Sequence, residues 1–440
     1  MLPSETRFLL SRKTGFSFFL LFWLLLGCVL PQIEVTFPGP DSPTPTAVPE
    51  PIELTRAASG LVVLQHTRYT DDQGHIHVVG LVANQGQVVR HLIHVYARFF
   101  NADGLTVAEQ STYTYGSALG PGDKAPFDLT FRDPPAGIQT YTLWVEGKET
   151  DTPPLKNLEI VQFNTLESSD HTRIIIGELV SRSEQHIVPR IMGIAYGLEG
   201  EIVDVGVTYP HPDPLRPGET VPFKLIMNGI YGLVANYELI PTAQAATQQD
   251  VDRRAQLEVT STYRYLDRWN RLNVIGLVRN AGQSNVKTIS ATTAFYDPFG
   301  SLRAVETAYA WHNILRPGEI TPFRVLLYGE RAGIDHWTFW PVGFQTDKSP
   351  PEGLIVEEIL IESQPDGSTT ISGQVVNQGT VPLTQVQVMA VGYDDGQIRT
   401  FERITLDGTF GPKAAAPFEL QLPTEDATTF EVDVQGKLPE

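Results

Sequence analysis

Few residues in this chain are placed to do chemistry. There is one cysteine, Cys28, so the chain can form no internal disulfide and no cysteine-based metal site. Five of the ten histidines, His66, His75, His77, His91 and His94, fall before residue 100. His75 and His77 are two apart, and in a strand that spacing points both side chains to one face, where two imidazoles would grip a metal ion. Simple alternation puts His91 and His94 on opposite faces. No later stretch repeats this pattern, so the expectation is ordinary surface histidines and no metal or other cofactor, with His75 and His77 as the candidates for any exception. The pairs Asp71-Asp72, Glu357-Glu358 and Asp394-Asp395 are expected in solvated turns or at strand edges, not as acid–base pairs. Asn101-Ala102-Asp103-Gly104 and Asp394-Asp395-Gly396 offer fewer oxygens than the about six to eight that calcium takes, and are expected as hairpin turns. There is no Gly-x-Ser-x-Gly elbow, His-Glu-x-x-His, P-loop or Gly-x-Gly-x-x-Gly. No catalytic residue is assigned, and the chain is expected not to be an enzyme.

The formal charge of −19 repels phosphate backbones, and no Lys/Arg cluster overrules it, which excludes nucleic acid as a partner. The exception to the acidity is the N-terminus. Arg7, Arg12 and Lys13 precede an apolar run from Phe16 to Leu26 broken by Ser17, and residues 1–27 read as an export signal. The run ends in Leu25-Leu26-Gly27-Cys28, which resembles a bacterial lipoprotein signal and implies lipid attachment at Cys28. The alternatives are an uncleaved signal anchor and ordinary secretion; all three put the body outside the cytoplasm, and the first two on the extracytoplasmic side of a cell membrane. Residues 28–57 carry Pro31, Pro38, Pro40, Pro43, Pro45, Pro49 and Pro51 among Thr, Ser and acidic residues. Such a tether favours extended polyproline II and builds no core.

The body that these residues hang on repeats itself. A Gly-x-Val-x-Asn-x-Gly string runs Gly80 to Gly86, Gly276 to Gly282 and Gly373 to Gly379, with a degenerate copy from Gly177 to Ser183. The leading glycines are 97, 99 and 97 residues apart. An aromatic followed by a glycine-ended turn recurs as Phe100…Gly104, Tyr196…Gly200, Tyr296…Gly300 and Tyr393…Gly396. A turn and a Pro-Phe pair recur as Pro121-Gly122…Pro126-Phe127, Pro217-Gly218…Pro222-Phe223, Pro317-Gly318…Pro322-Phe323 and Pro412-Lys413…Pro417-Phe418. Ile371-Ser372-Gly373-Gln374-Val375 alternates apolar-in, polar-out, as a half-buried strand does. The Asn at the strand end is expected to hold loop backbone, and the Gly after it to supply positive φ. Ile93, Val95, Ala97 and Phe99 share a face in the next strand.

Short strands with turn signals every 8–12 residues or so predict an all-β chain of four tandem Ig-like β-sandwich domains. The expected repeats are 58–148, 158–245, 257–345 and 354–438, with short polar joints that allow little hinge motion. In the first repeat, strands are expected near 61–69, 75–83, 90–100, 105–114, 125–131 and 139–146. Tyr141, Trp144, Tyr237, Trp337, Trp340 and Phe430 are expected in the cores.

These landmarks together resemble the FxLYD-type domain, a small Ig-like sandwich of exported bacterial proteins. Phe295-Tyr296-Asp297-Pro298-Phe299-Gly300 matches that pattern best; Phe100-Asn101 and Tyr196-Gly197 lack its Asp. The resemblance implies an accessory or adhesive surface role and brings no catalytic residues. The expected function is a membrane-tethered spacer and adhesive module binding protein or polysaccharide of the envelope. Tyr113, Tyr115, Trp269, Trp311 and His312 are the candidates for a sugar platform. The alternative is a structural component of an envelope complex that assembles through sandwich edges.

Overall fold

The computed structural model describes residues 60–169, 171–230, 232–267, 269–327, 333–423 and 426–439, the side chains of 167–169 excepted. The signal segment 1–27, Cys28 and the tether 28–57 lie outside the described residues. From residue 60 onward the chain is nearly all strand, folded as four successive two-sheet sandwiches. The first comprises β1 (Leu61–Thr70), β2 (Ile76–Asn84), β3 (Arg90–Phe100), β4 (Thr106–Tyr113), β5 (Ala118–Leu119), β6 (Lys124–Phe131) and β7 (Thr140–Glu149). Its sheet β1-β2-β6 packs on a second sheet in which β3 pairs with β4, β5 and β7, all antiparallel. Apart from the two-residue β5, these are the strands the sequence predicts.

The plan then repeats. The second module has β8 (Leu158–Ser169), β9 (Thr172–Ser181), β10 (Ile187–Tyr196), β11 (Ile202–Thr208), β12 (Thr220–Met227) and β13 (Asn236–Ala245), in sheets β12-β9-β8 and β11-β10-β13. A short helix, α1 (Gln248–Arg253), opens the next joint, capped by Thr247 and Asp250 in a reciprocal capping box. The third module has β14 (Leu257–Leu266), β15 (Leu272–Asn280), β16 (Asn285–Tyr296), β17 (Leu302–Tyr309), β18 (Ile314–Leu315), β19 (Ile320–Leu326) and β20 (His336–Thr346). The fourth has β21 (Leu354–Ser363), β22 (Thr369–Asn377), β23 (Thr384–Asp394), β24 (Gln397–Leu406), β25 (Ala415–Leu422) and β26 (Thr429–Lys437).

Two sequence landmarks turn out to be one contact. Gly80 lies opposite Phe127 in the ladder, as do Gly177 and Phe223, Gly276 and Phe323, and Gly373 and Phe418. A Cβ at Gly80, Gly177, Gly276 or Gly373 would stand 2.3 to 2.9 Å from a ring carbon of that Phe. The glycine is therefore the space into which the phenyl ring folds. The Asn at the strand end is fully buried and acts as expected: Asn84 Nδ2 donates to Val88 O and Leu119 O at 2.8 Å, while its Oδ1 accepts from Gly86 N. Asn280 and Asn377 repeat this pattern. Ser181 in the degenerate copy is buried with an unpartnered hydroxyl.

One expectation fails here. Gly86, Gly282 and Gly379 do not have positive φ. Close approach instead requires Gly60 and Gly353, since a Cβ on either would stand 2.4 to 2.5 Å from the Cα of Gly86 or Gly379, and a Cβ on Gly379 would stand 2.9 Å from Glu352 O. Positive φ falls on the turn after the Pro, at Gly122, Gly218, Gly318 and Lys413.

The alternation expected for the glycine strand also holds in the fourth copy and not before it. In β2 and β15 nearly every residue is buried, on both faces. The inner face packs in its own sandwich; the outer face packs on the next module. Val79 and Leu81 meet Ile194, Ile202 and Val205; Ile176 meets Ala294, Tyr296, Leu302 and Val305; Ile275 and Leu277 meet Met389, Val391, Ile398 and Phe401. The same outward positions of β22 are Thr370, Ser372 and Gln374, all polar. Polar crossings pin each seam, among them Lys124–Glu238, Lys224–Glu306 and Arg324–Glu402. The modules thus adhere through apolar faces as well as through the short joints.

The buried Gly–Phe pair yields a test. In Gly276→Ala the new Cβ would lie 2.6 Å from Phe323 Cζ, and Phe323 is fully buried and has nowhere to go. The expected cost is about 1–3 kcal/mol of stability in a denaturant melt. An unchanged transition would show that the ring does not need the glycine.

Candidate functional site

The turn between β1 and β2 builds the most concentrated set of chemical groups among the described residues. Asp71 closes it: its Oδ1 accepts from Gln73 N and His75 N, and its backbone N–H donates to His75 O. Its Oδ2 stands 2.9 Å from His75 Nδ1 and 3.5 Å from His77 Nε2. From β6, diagonally across the ladder, Asp128 Oδ1 lies 3.1 Å from His77 Nδ1. Tyr69, paired with His77 in register, stacks on its ring at 4.8 Å. His77 therefore has a carboxylate at each nitrogen and an aromatic wall at its face.

Burial alone would push Asp71 up, but hydrogen bonds from His75 and Gln73 overcome it and hold the carboxyl at about 2. Burial opposes charge on His77 too, yet Asp128 first and Asp71 second outweigh it and raise its pKa. The second module adds Asp204 of β11. Burial raises it to about 6, against backbone N–H bonds from Gly229 and Val205. Asp128 and Asp204 also act on Tyr115, whose hydroxyl burial pushes far up.

Of the residues singled out by spacing, His75 and His77 are brought together, and they are half-buried rather than plain surface histidines. Asp71, expected as a solvated turn carboxylate, is instead their shared partner. Asp128 and Asp204 carried no motif, and their place follows only from strand register and the seam. His91 and His94 do not fall on opposite faces. Leu92 takes φ 48° in a bulge between them, and by register they stand opposite Lys148 and Glu146, two apart on β7. The Asn101 turn is filled by its own backbone, with Oδ1 accepting from Asp103 N and Leu105 N. Asp394 pairs with Arg399.

The five residues proposed for a sugar platform are scattered. Trp311 is buried in the seam between modules three and four, and His312 beside it pairs with Asp433. Tyr115 packs in the first seam, Trp269 stacks on Arg271, and Tyr113 is exposed at the end of β4. Trp144, expected in the core, points outward from β7 between the buried Leu143 and Val145. A groove of about 940 Å³ opens between modules three and four, but its charged rim is closed on itself by Arg316 with Glu319 and Glu352.

No family model matches the chain, and no curated protein matches it. Among solved structures it is similar to the native conformation of E. coli alpha-2-macroglobulin, at 12% identity over 86% of this chain and 27% of that chain, with a TM-score of 0.12. A likeness so slight carries no argument. No helix among the described residues is long and apolar enough to cross a membrane.

The position of Asp204 makes the first seam pH-dependent. Its folded pKa lies above the ordinary value of 3.8, so the protonated form is favoured, and stability is lost as pH rises through about 6. Asp204→Asn keeps an acceptor for Gly229 N–H and removes the charge. At about pH 8 it is expected to raise stability by up to about 3 kcal/mol, and near pH 4 to change little. Parallel thermal melts of the two proteins in chelator at both pH values check this; equal gains at both would refute it.

Proposed function

We propose that this is a non-catalytic, membrane-tethered extracytoplasmic protein, whose sandwiches act as a spacer carrying an adhesive surface for a protein or polysaccharide of the cell envelope. The observation that carries the reading is an unequal pair of faces. In modules two to four, the outer face of the sheet built on β10, β16 or β23 is covered by the preceding module. In module one no described residue covers that face, and aromatics line it. Arg98 lies over Trp144, Trp144 stacks on Tyr96 at 5.0 Å, Tyr96 packs on His94, and His94 stacks on Tyr113 at 4.3 Å. Arg98 is held in turn by Glu109 at 2.6 Å.

Rings fixed by their neighbours lose little entropy when a partner lands on them, and Tyr, Trp and Arg dominate binding hot spots. The faces inside the stack are used up. What the ladder offers is ring edges, tyrosine hydroxyls and the open face of Tyr113. The N-terminal signal, the Cys28 sequence and the proline tether support attachment outside a membrane.

A second reading has its own observation. Ile359, Leu360 and Ile361 are 46%, 53% and 45% exposed on β21, an edge strand of the last module. An apolar run on a free edge suits assembly with another envelope protein.

Binding of the full chain to isolated envelope fractions separates the two. Trp144→Ala with Tyr113→Ala is expected to weaken binding about tenfold or more. Unchanged binding, with loss on Leu360→Asp instead, would overturn the adhesive face in favour of assembly. Cys28→Ser is expected to release the protein from the membrane fraction; retention would mean an uncleaved anchor.

A further inference from the structure

We propose that the β1–β2 turn of the first module binds one zinc ion through Asp71 Oδ2, His75 Nδ1 and His77 Nε2, with Asp128 orienting His77. The three donor atoms lie within 4.8 Å of one another before any adjustment. Bonds of about 2.0–2.1 Å to a tetrahedral zinc put neighbouring donors about 3.3 Å apart. The two distances to Asp71 Oδ2, 2.9 and 3.5 Å, bracket that value. Two imidazole nitrogens and one carboxylate suit zinc rather than calcium or magnesium, which take oxygen. A fourth position is left for water or an outside ligand.

Two features distinguish this turn from its counterpart. Asp128 Oδ1 lies 3.1 Å from His77 Nδ1, and by accepting that N–H it would leave Nε2 free to bind a metal held with Asp71, the carboxylate–histidine arrangement that accompanies metal ligation. In module three the same turn has Asp267 in the place of Asp71, but Arg271 and Asn273 stand where His75 and His77 do. There Arg271 pairs with Asp267 at 2.7 Å and closes the turn without any metal donor. Zinc in module one would do what that arginine does in module three. This site is independent of the aromatic face and of the membrane attachment.

Module three also supplies the test. The full chain, stripped with chelator, is titrated with zinc chloride by calorimetry, and with cobalt(II) for the visible absorption of a four-coordinate ion. One equivalent is expected. The double variant His75→Arg, His77→Asn, which installs the module-three residues and so keeps a turn that folds, is expected to lose the binding and the cobalt band. Asp128→Asn is expected to weaken zinc by about 10–100-fold. His91→Ala with His94→Ala is expected to leave both signals unchanged. The proposal is overturned if the stripped protein takes up no zinc at micromolar concentrations, or if the double variant, with unaltered circular dichroism, binds as the parent does.

Discussion

The structure depends on a strand with no side facing water. β2, β9 and β15 each sit in the middle of a three-stranded sheet, so their backbone groups are paired to left and right. Below them lies the core of their own module and above them the next module, so apolar residues fill both sets of alternate positions. The inner set is crowded enough that a glycine must admit the phenyl ring of its neighbour. The outer set is what joins one module to the next. Because burial of apolar surface is roughly additive in area, each seam is an extension of the core and not a loose contact between finished domains. At β22 the outer set turns polar while the inner set stays apolar, and the glycine and its Phe remain.

Apolar faces alone would allow neighbouring sheets to slide, and a repeated polar pin prevents it. The first strand of each of the first three modules bulges, and the residue after the bulge reaches the following module. Gln65 donates to Gly200 O; Gln162 donates to Gly300 O and accepts from Leu302 N; Ser261 donates to Gln397 and accepts from Ile398 N. The receiving module answers with a donor to a carbonyl of the one before it: Arg190 to Tyr115, Trp340 to Thr220, Gln435 to Trp311. Such bonds add little net energy in their own right, but the buried and part-buried ones among them are costly to leave unpaired, which favours one relative position.

Much of the fold was legible because its constraints are local. The phenyl opposite a glycine recurs four times, the left-handed turn residue four times with glycine in three of them, and the Asn that gathers two carbonyls three times, each at one fixed place. The seams were hidden because their signal is a double alternation. Val78, Val79, Leu81 and Val82 read as one apolar strand, and nothing in the string says that half of it belongs to another module. The bulge at Leu92, repeated at Thr288 and Gln385, was hidden for a related reason. Non-glycine residues carry its positive φ, so simple alternation runs straight through it and puts His91 and His94 on opposite faces. Hydrophobicity alone puts Trp144 in the core, although Leu143 and Val145 on either side of it already hold the inward positions.

The cluster around His77 was half legible, and the missing half is electrostatic. Two residues after the Pro of the Pro-Phe pair, modules two and three place Lys224 and Arg324, and each crosses its seam to a glutamate. At that position module one has Asp128, and the facing module contributes another carboxylate, Asp204. Two acids approaching across an apolar seam repel in a medium that screens them poorly. Lys124 is occupied elsewhere, at Glu238. The cationic capacity nearest Asp128 is therefore the imidazole of His77, with Asp71 and His75 behind it. At this one position the first seam has a titratable group where its two counterparts have a fixed cation, and a histidine responds to protons and to metal ions where lysine and arginine respond to neither. At the first joint, solution conditions can thus act on how firmly two modules hold together.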